Sequence, residues 1–450
     1  MQKIALFSLK SRLFRLAGWL ALGLAIPGSA QVVTSDNPVP TANEAPLTLT
    51  LQDALARAKV NNPEYRSAVT DARLAKEDRV QSRAALLPNV NYNAAFNYTE
   101  GNGTSGSRFI ANNGVHEYIS QGNVNETLSL ANVADYRRTS ALEAVAKAKA
   151  EIAARGLVVT VVQSYYGFAA AQRKYATAQR AMEEARHFTD ISQKLQQGGE
   201  VAHSDVVKAQ LQFQQQQRDL REAELEMNRS RMELAVLMFP DFNQNFSVVD
   251  DLQMLEPLAP FADIQAAAAN KNPELRAALA SLKAANQEVF VAWNNFLPSL
   301  NLNYFYGIDA NHFATETNGV RNLGYAATAT LQLPVWNWGA GRSQVKQADL
   351  RRDQARVELS FTQRQLLAKL HTLYEEARAA HAELDSLSQS SELAADSLRL
   401  TNLRYQAGEA LVLEVVDAQN TLTQARNAFN DGQVRYRVAL ANLQTLTGNF

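Results

Sequence analysis

The sequence predicts a mainly α-helical chain with a transmembrane β part: two internal repeats, giving four strands and long coiled-coil helices per protomer. Three observations predict this. Two halves of the 450-residue chain repeat each other at an offset of 209–210 positions. Each half holds about sixty consecutive residues with no proline, enough for one uninterrupted helix. Each half also carries two runs of about ten residues that alternate apolar and polar, the period of a strand with one face of each kind. Composition agrees with a folded chain, at 46% hydrophobic and 20% charged. The 44 basic and 45 acidic residues leave a net charge of −1, with none of the basic excess that nucleic acid would require. The absence of cysteine removes disulfides, thiol catalysis and thiolate metal sites.

The elements follow in order. Residues 1–30 open with Lys3, Lys10, Arg12 and Arg15, continue with an apolar run from Leu16 to Ile26, and close on small residues up to Ala30. That is the grammar of a secretory signal peptide, its apolar run being too short to span a bilayer. An N-terminal extension covers 31–47. The first repeat is placed at 48–239, a linker at 240–260, and the second repeat at 261–448. The repeat is carried by Asn62-Pro63-Glu64 against Asn272-Pro273-Glu274, Leu87-Pro88 against Leu297-Pro298, Tyr165 against Tyr374, and Gly199-Glu200 against Gly408-Glu409.

Within the first repeat, Pro63 to Leu87 is helical by composition and Pro88 stops it. Strands are expected at about 88–100 and 117–131, separated by a Gly/Asn/Ser loop over 101–114. A helix then runs from about Tyr136 to Gln197, ended by Gly198-Gly199, and the next is capped by Ser204 or Asp205 and runs to about Met238. The second repeat copies this plan. It has strands at about 298–309 and 323–335, a helix from about Gln344 to Gln406, a break at Gly408, and a last helix from about Leu411 to Leu446. At ~1.5 Å per residue each long helix reaches roughly 90 Å, about the length of the two shorter helices placed end to end. Val415, Ala418, Leu422, Ala425, Phe429, Tyr436, Ala439, Leu443 and Leu446 step by three, four or a full heptad of seven, as do Val206, Ala209, Phe213, Leu220, Ala223, Met227, Leu234 and Leu237. Both are coiled-coil seams.

The strands need lipid and company. Tyr92, Phe96, Leu302, Tyr304, Leu331 and their neighbours fill one face, and Asn, Ser, Thr and Gln fill the other. A membrane barrel uses this pattern, with apolar residues toward lipid and polar residues toward the lumen. Four strands cannot close a barrel, and lipid does not tolerate open edges, so protomers must combine. Two copies would give eight strands around a filled interior, three copies twelve around a wetter one. Tyr92, Tyr98, Tyr304, Tyr325, Trp336 and Trp338 are candidates for the aromatic belts at the membrane interfaces; packing at the strand–helix joint is the other reading of the tryptophans.

A signal peptide, two helix–hairpin–long helix–turn–helix repeats and paired turn motifs together resemble the TolC family of outer-membrane efflux proteins. The most specific stretches are Tyr405 to Gln419 and its first-repeat counterpart, Gly199 to Gln210. The resemblance implies a TolC-like α/β-barrel duct: a homotrimer with a 12-stranded barrel in outer-membrane lipid and a helical tunnel across the periplasm of a Gram-negative envelope. It also implies docking on a periplasmic adaptor (membrane fusion) protein and an inner-membrane pump, with the turns carrying Gly198, Gly199, Gly408 and Glu409 as the docking end. By position after the turn glycine, Asp205 and Tyr405 resemble a latch pair that holds the tunnel's lower end closed, with Ser204 matching an acceptor. The family's basic partner falls at Ala410, which cannot make that link. Glu414 and Asp417 resemble the family's acidic constriction ring, though an acidic cap on the first turn of the last helix explains them too. Lys208 is placed to pair with Asp417 of a neighbouring helix and soften that field.

Other motifs lead nowhere. Gly101-Asn-Gly103-Thr-Ser-Gly106 matches a dinucleotide-binding fingerprint in letters, but no helix opens after it. The six histidines have no metal-ligand spacing, so neither metal nor cofactor is expected, and no nucleophile or paired-carboxylate motif points to an enzyme. The function expected is a passive exit channel of the outer membrane, gated at its periplasmic end, for efflux or secretion. The alternative is a non-conducting coiled-coil envelope protein bridging outer membrane and periplasm.

Overall fold

The computed structural model describes residues 47–99, 116–253 and 257–448. The signal peptide, the extension up to residue 46 and the glycine-rich loop with its fingerprint-like run lie outside the described residues. The elements in order are β1 (Leu47–Leu49), α1 (Leu51–Asn61), α2 (Pro63–Ala84), β2 (Asn89–Tyr98), β3 (His116–Leu128), α3 (Leu130–Gln197), α4 (His203–Met238) and β4 (Phe246–Val248). They continue with α5 (Phe261–Lys271), α6 (Pro273–Asn294), β5 (Ser299–Ala310), β6 (Glu316–Thr317), β7 (Val320–Arg321), β8 (Leu323–Gln332), α7 (Ala340–Gln406) and α8 (Val412–Thr447).

The repeated Asn-Pro-Glu triplet now has a physical reason. Asn62 and Asn272 are N-caps whose side chains accept from the amides of Tyr65 and Leu275 at 2.8 and 2.9 Å. Pro63 and Pro273 take the first helical position, where no amide is needed, and Glu64 and Glu274 sit in the first turn, where the helix dipole favours an anion. The two long helices begin earlier than expected, at Leu130 and Ala340, and hold 68 and 67 residues, or roughly 100 Å each.

Three features were not foreseen. Short helices α1 and α5 precede α2 and α6; β1 and β4 pair in parallel; and β6 and β7 form a small hairpin between β5 and β8. The β4 strand falls inside the stretch read as linker.

The four longer strands form one antiparallel sheet in the order β2-β3-β5-β8. The β3–β5 pairing joins the hairpin of one repeat to that of the other, and β2 and β8 are its edges. Register sorts the faces. Val90, Val124, Tyr304 and Ala327 share one cross-strand row, and Asn89, Asn125, Asn303 and Thr328 share the row beside it on the opposite face. The apolar face is uncovered: Val90, Tyr92, Phe96, Tyr98, Tyr304, Tyr325 and Leu331 are exposed.

The helices form four columns side by side. α3 packs on α2 and α4 along one flank and on α6 and α8 along the other; α7 packs on α6 and α8. The break between α4 and α2 is pinned by Asn61 Nδ2, which donates to Met238 O at 2.5 Å. The break between α8 and α6 is pinned by Arg155 of α3, which donates to Thr445 O at 2.6 Å and to Lys271 O at 3.0 Å. At mid-height a core of Tyr165, Tyr166, Phe168, Leu234, Met238, Phe246 and Leu252 ties α3 and α4 to the β1–β4 pair. The Tyr165 hydroxyl points at Val249 O (2.7 Å) and Leu49 O (3.1 Å), and burial pushes its pKa up to about 12.

The α8 seam is the one read from the sequence, with Val415, Ala418, Leu422, Tyr436, Ala439, Leu443 and Leu446 all buried. The α4 seam differs. Phe213 and Leu220 are half-buried, while Gln212 and Gln216 are buried, because Gln212 Nε2 finds Asn420 Oδ1 of α8 at 2.9 Å. A satisfied amide takes the place of an apolar knob there.

Candidate functional site

The site grows from two helix turns, α3–α4 and α7–α8. Both end their first helix the same way. Gly199 and Gly408 adopt φ of +79° and +77°, a conformation that a side chain resists. The amides of Glu200 and Glu409 then close back onto Leu195 O and Arg404 O at 2.9 and 2.8 Å. Gly198 is an ordinary right-handed residue before the first turn.

Above the turns lies a small core of Phe188 (α3), Ala209 (α4), Leu398 and Tyr405 (α7), and Val412, Val415 and Ala418 (α8). Tyr405 is buried in it, its ring 4.9 Å from that of Phe188, and its hydroxyl is 3.0 Å from Ser192 Oγ. Burial raises the Tyr405 pKa; the bond to Ser192 works against that and nearby Asp205 adds to it. The hydroxyl therefore stays protonated and available as a donor.

This changes the latch read from the sequence. Within one chain Tyr405 meets Ser192, not Asp205, and Asp205 meets Lys208 of its own helix at 3.3 Å. Within one chain Lys208 is thus placed on Asp205. Neither Ser204 nor Asp205 caps α4: the N-cap is Ala202, with no side-chain cap, because α4 starts at His203, two residues earlier than a Ser204 cap would put it. Ser204 is exposed in the first turn.

At the second turn Glu414 reaches back to the amide of Leu411 at 3.1 Å and meets Arg404 Nη1 at 3.2 Å. Arg404 Nη2 also holds Glu409 O at 3.0 Å, so one guanidinium clamps the end of α7, the turn and the start of α8. Glu414 is therefore a helix cap with a counter-ion. Asp417 lies one turn further along α8 and is exposed. Ser192 and Arg404 escaped the sequence reading, although each left a signal. Ser192 is a hydroxyl four and seven residues after Phe188 and Ala185, both buried on α3, and Arg404 is a cation in a last helical turn, four residues before the glycine.

At the other end, Tyr98 shares a row with His116, at the strand ends remote from the long helices. Tyr92 and Tyr325 share a row with Gly122 and Tyr306, and Tyr304 stacks near Tyr325 at 6.2 Å between ring centres. Trp336 and Trp338 lie between β8 and α7, 75% and 90% exposed, so they do not pack into the joint. Trp338 holds a φ of +54°, rare for a bulky residue. Among the described residues no three His, Asp or Glu side chains converge on a metal-sized site, and no helix is long and apolar enough to cross a membrane.

Comparison with known proteins fits this layout. The family model for outer membrane efflux proteins matches residues 54–238 and 264–449, once over each repeat. The chain is similar to the outer membrane protein TolC of Escherichia coli (strain K12), at 21% identity over 95% of this chain and 85% of that protein. It is similar at 22% identity to the alkaline protease secretion protein AprF of Pseudomonas aeruginosa, over 89% of this chain and 84% of that protein. The fold matches the CmeC outer membrane channel of Campylobacter jejuni with a TM-score of 0.77 at 20% identity, covering 89% of this chain and 85% of that one. It matches the open state of the MtrE channel of Neisseria gonorrhoeae with a TM-score of 0.76 at 20% identity, covering 88% of each. With a TolC-like fold of two efflux-protein repeats, this chain belongs to the outer membrane efflux protein family: a transport protein of the outer membrane that reaches into the periplasm, and not an enzyme.

Proposed function

We propose that the chain, exported on its signal peptide and cut near Ala30, assembles as a homotrimer into a passive exit duct, closed at its periplasmic end until a partner opens it. The observation that carries this reading is the uncovered apolar face of the β2-β3-β5-β8 sheet, backed by an asparagine-rich face and ending in two unpaired edges. Lipid covers such a face and neighbouring copies complete such edges. Three copies give twelve strands and leave space inside for the asparagine and threonine side chains, whereas eight strands would be filled by them.

Tyr405, Ser192, Ser204 and Asp205 form the gate region, and a twist of α7 and α8 against α3 and α4 breaks the Tyr405–Ser192 bond. Asp417 supplies most of the negative field at the constriction, because Arg404 already answers Glu414. The turns with Gly198, Gly199, Gly408 and Glu409 receive a periplasmic adaptor, and an inner-membrane pump supplies the energy. Trp336 and Trp338 anchor the duct at the membrane interface nearer the helices, and Tyr92, Tyr98, Tyr304 and Tyr325 contribute to its aromatic surface.

Fractionation of the envelope, followed by light scattering of the purified protein in detergent, tests this. The expected result is an outer-membrane protein with the mass of three mature chains. Recovery as a detergent-free periplasmic monomer would overturn it.

A further inference from the structure

The internal repeat makes the contact between α3 and the α6/α8 column a template. In a head-to-tail ring the free flank of α7 meets the free flank of the α2/α4 column of the next copy, and these are the same positions one repeat along. Burial carries the correspondence. On α3, Ala148 and Val158 are 2% and 6% exposed, while their α7 counterparts Val357 and Leu367 are 68% and 46% exposed. On the other column, Ala284 and Ala441 are 6% and 4% exposed, while their counterparts Leu74 and Met232 are 58% and 48% exposed. The same positions are covered where a column stands beside them and open where none does.

Arg155 is a polar fixture of the internal seam, donating to Thr445 O and Lys271 O where α8 ends and α6 begins. Its counterpart on α7 is also an arginine, Arg364, which is exposed. The counterparts of the two carbonyls are Val236 O and Asn61 O, where α4 ends and α2 begins. Both are orphaned by the local chemistry. The helical partner of Val236 O would be the amide of residue 240, which is proline. The partner of Asn61 O would be the Tyr65 amide, which is bonded to Asn62 Oδ1 instead. Helix-end carbonyls need a donor from outside the helix, and a cation suits that end.

We propose that Arg364 of one copy caps Asn61 O and Val236 O of the next, stapling the seam between copies at the height where Arg155 staples the seam within each copy. The occupant of this surface is a second copy of the same chain, and the inference rests on the oligomeric duct proposed above. The seams are not equal in strength. Inside the chain, Lys174 of α3 also pairs with Asp431 of α8 at 2.7 Å, and their counterparts are Glu383 and Glu222, which cannot pair. Arg364 therefore bears more of the polar grip between copies than Arg155 does within one.

The 450-residue sequence has no cysteine, so introduced pairs report cleanly. Arg364→Cys combined with Val236→Cys, treated with a short bismaleimide, should give covalent dimers and trimers. Arg351→Cys with Val236→Cys, displaced by roughly 20 Å along α7, should not. Arg364→Ala should lower the trimer's resistance to dilution in detergent at least tenfold, with Arg364→Lys intermediate, because a single ammonium nitrogen lacks the two separated donor nitrogens that a guanidinium holds in a fixed plane. Arg155→Ala should instead lower the melting temperature of the single chain. A trimer by light scattering with no Arg364→Cys/Val236→Cys adduct, or with Arg364→Ala as dilution-resistant as the parent, would overturn the staple and leave the duct standing. Absence of any oligomer would overturn both.

Discussion

Tyr165 and Tyr405 show how single hydroxyls do different work in one chain. The Tyr165 hydroxyl bridges the backbones of residues 49 and 249, so Tyr165→Phe should cost about 1–2 kcal/mol of stability, read by thermal or urea unfolding. Burial raises the folded pKa of Tyr165 to about 12, and that of Tyr166 also upward. A raised pKa contributes stability that is complete below the unfolded value near 10 and is lost as pH rises through the folded value. Stability should therefore be flat near pH 9 and fall between about pH 10 and 12, and Tyr165→Phe should make that fall shallower.

Tyr405 belongs to the gate. Tyr405→Phe and Ser192→Ala remove the same bond, so each should raise the resting conductance and the double variant should add little, a coupling that single-channel recording would measure. At the constriction, Asp417→Ala should weaken cation preference more than Glu414→Ala, since Glu414 is already met by Arg404. Equal effects would restore Glu414 to a full place in an acidic ring.

At the scale of elements, Val161 in α3 and Leu366 in α7 are buried mid-helix, and proline at either should abolish assembly. It removes a helix hydrogen bond and kinks the column, at ~3 kcal/mol or more. The check is loss of the trimer band with helicity largely kept.

These long elements were legible in the sequence because their signals are long: sixty residues without proline, nine seam positions in step, strands alternating over ten residues. What stayed hidden was short or depended on contacts across the chain. The three-residue strands β1 and β4 owe their existence to each other and to Tyr165, far away in sequence. The two extra first-turn residues that moved the α4 cap from Ser204 to Ala202 leave no pattern to read. The contact of Tyr405 with Ser192 stayed hidden because matching positions after a glycine ranks residues along one helix, whereas Ser192 reaches it from α3, 213 positions away.

At the scale of the whole molecule, the chain from Leu47 onward presents two unfinished borders. One is a pair of sheet edges, and the other is the free flanks of α7 and of the α2/α4 column. Since β2 and β8 run antiparallel through an even number of strands, they can pair with each other between copies without breaking the alternation. The most direct test of a gated duct is single-channel recording of the purified mature protein in planar lipid bilayers, beside its Tyr405→Phe and Asp417→Ala variants. The expected result is discrete, small conductance steps for the parent, larger steps for Tyr405→Phe, and reduced cation preference for Asp417→Ala. A trimer that inserts into the bilayer yet never conducts, in parent and Tyr405→Phe alike, would contradict the duct and leave a structural bridge between outer membrane and periplasm.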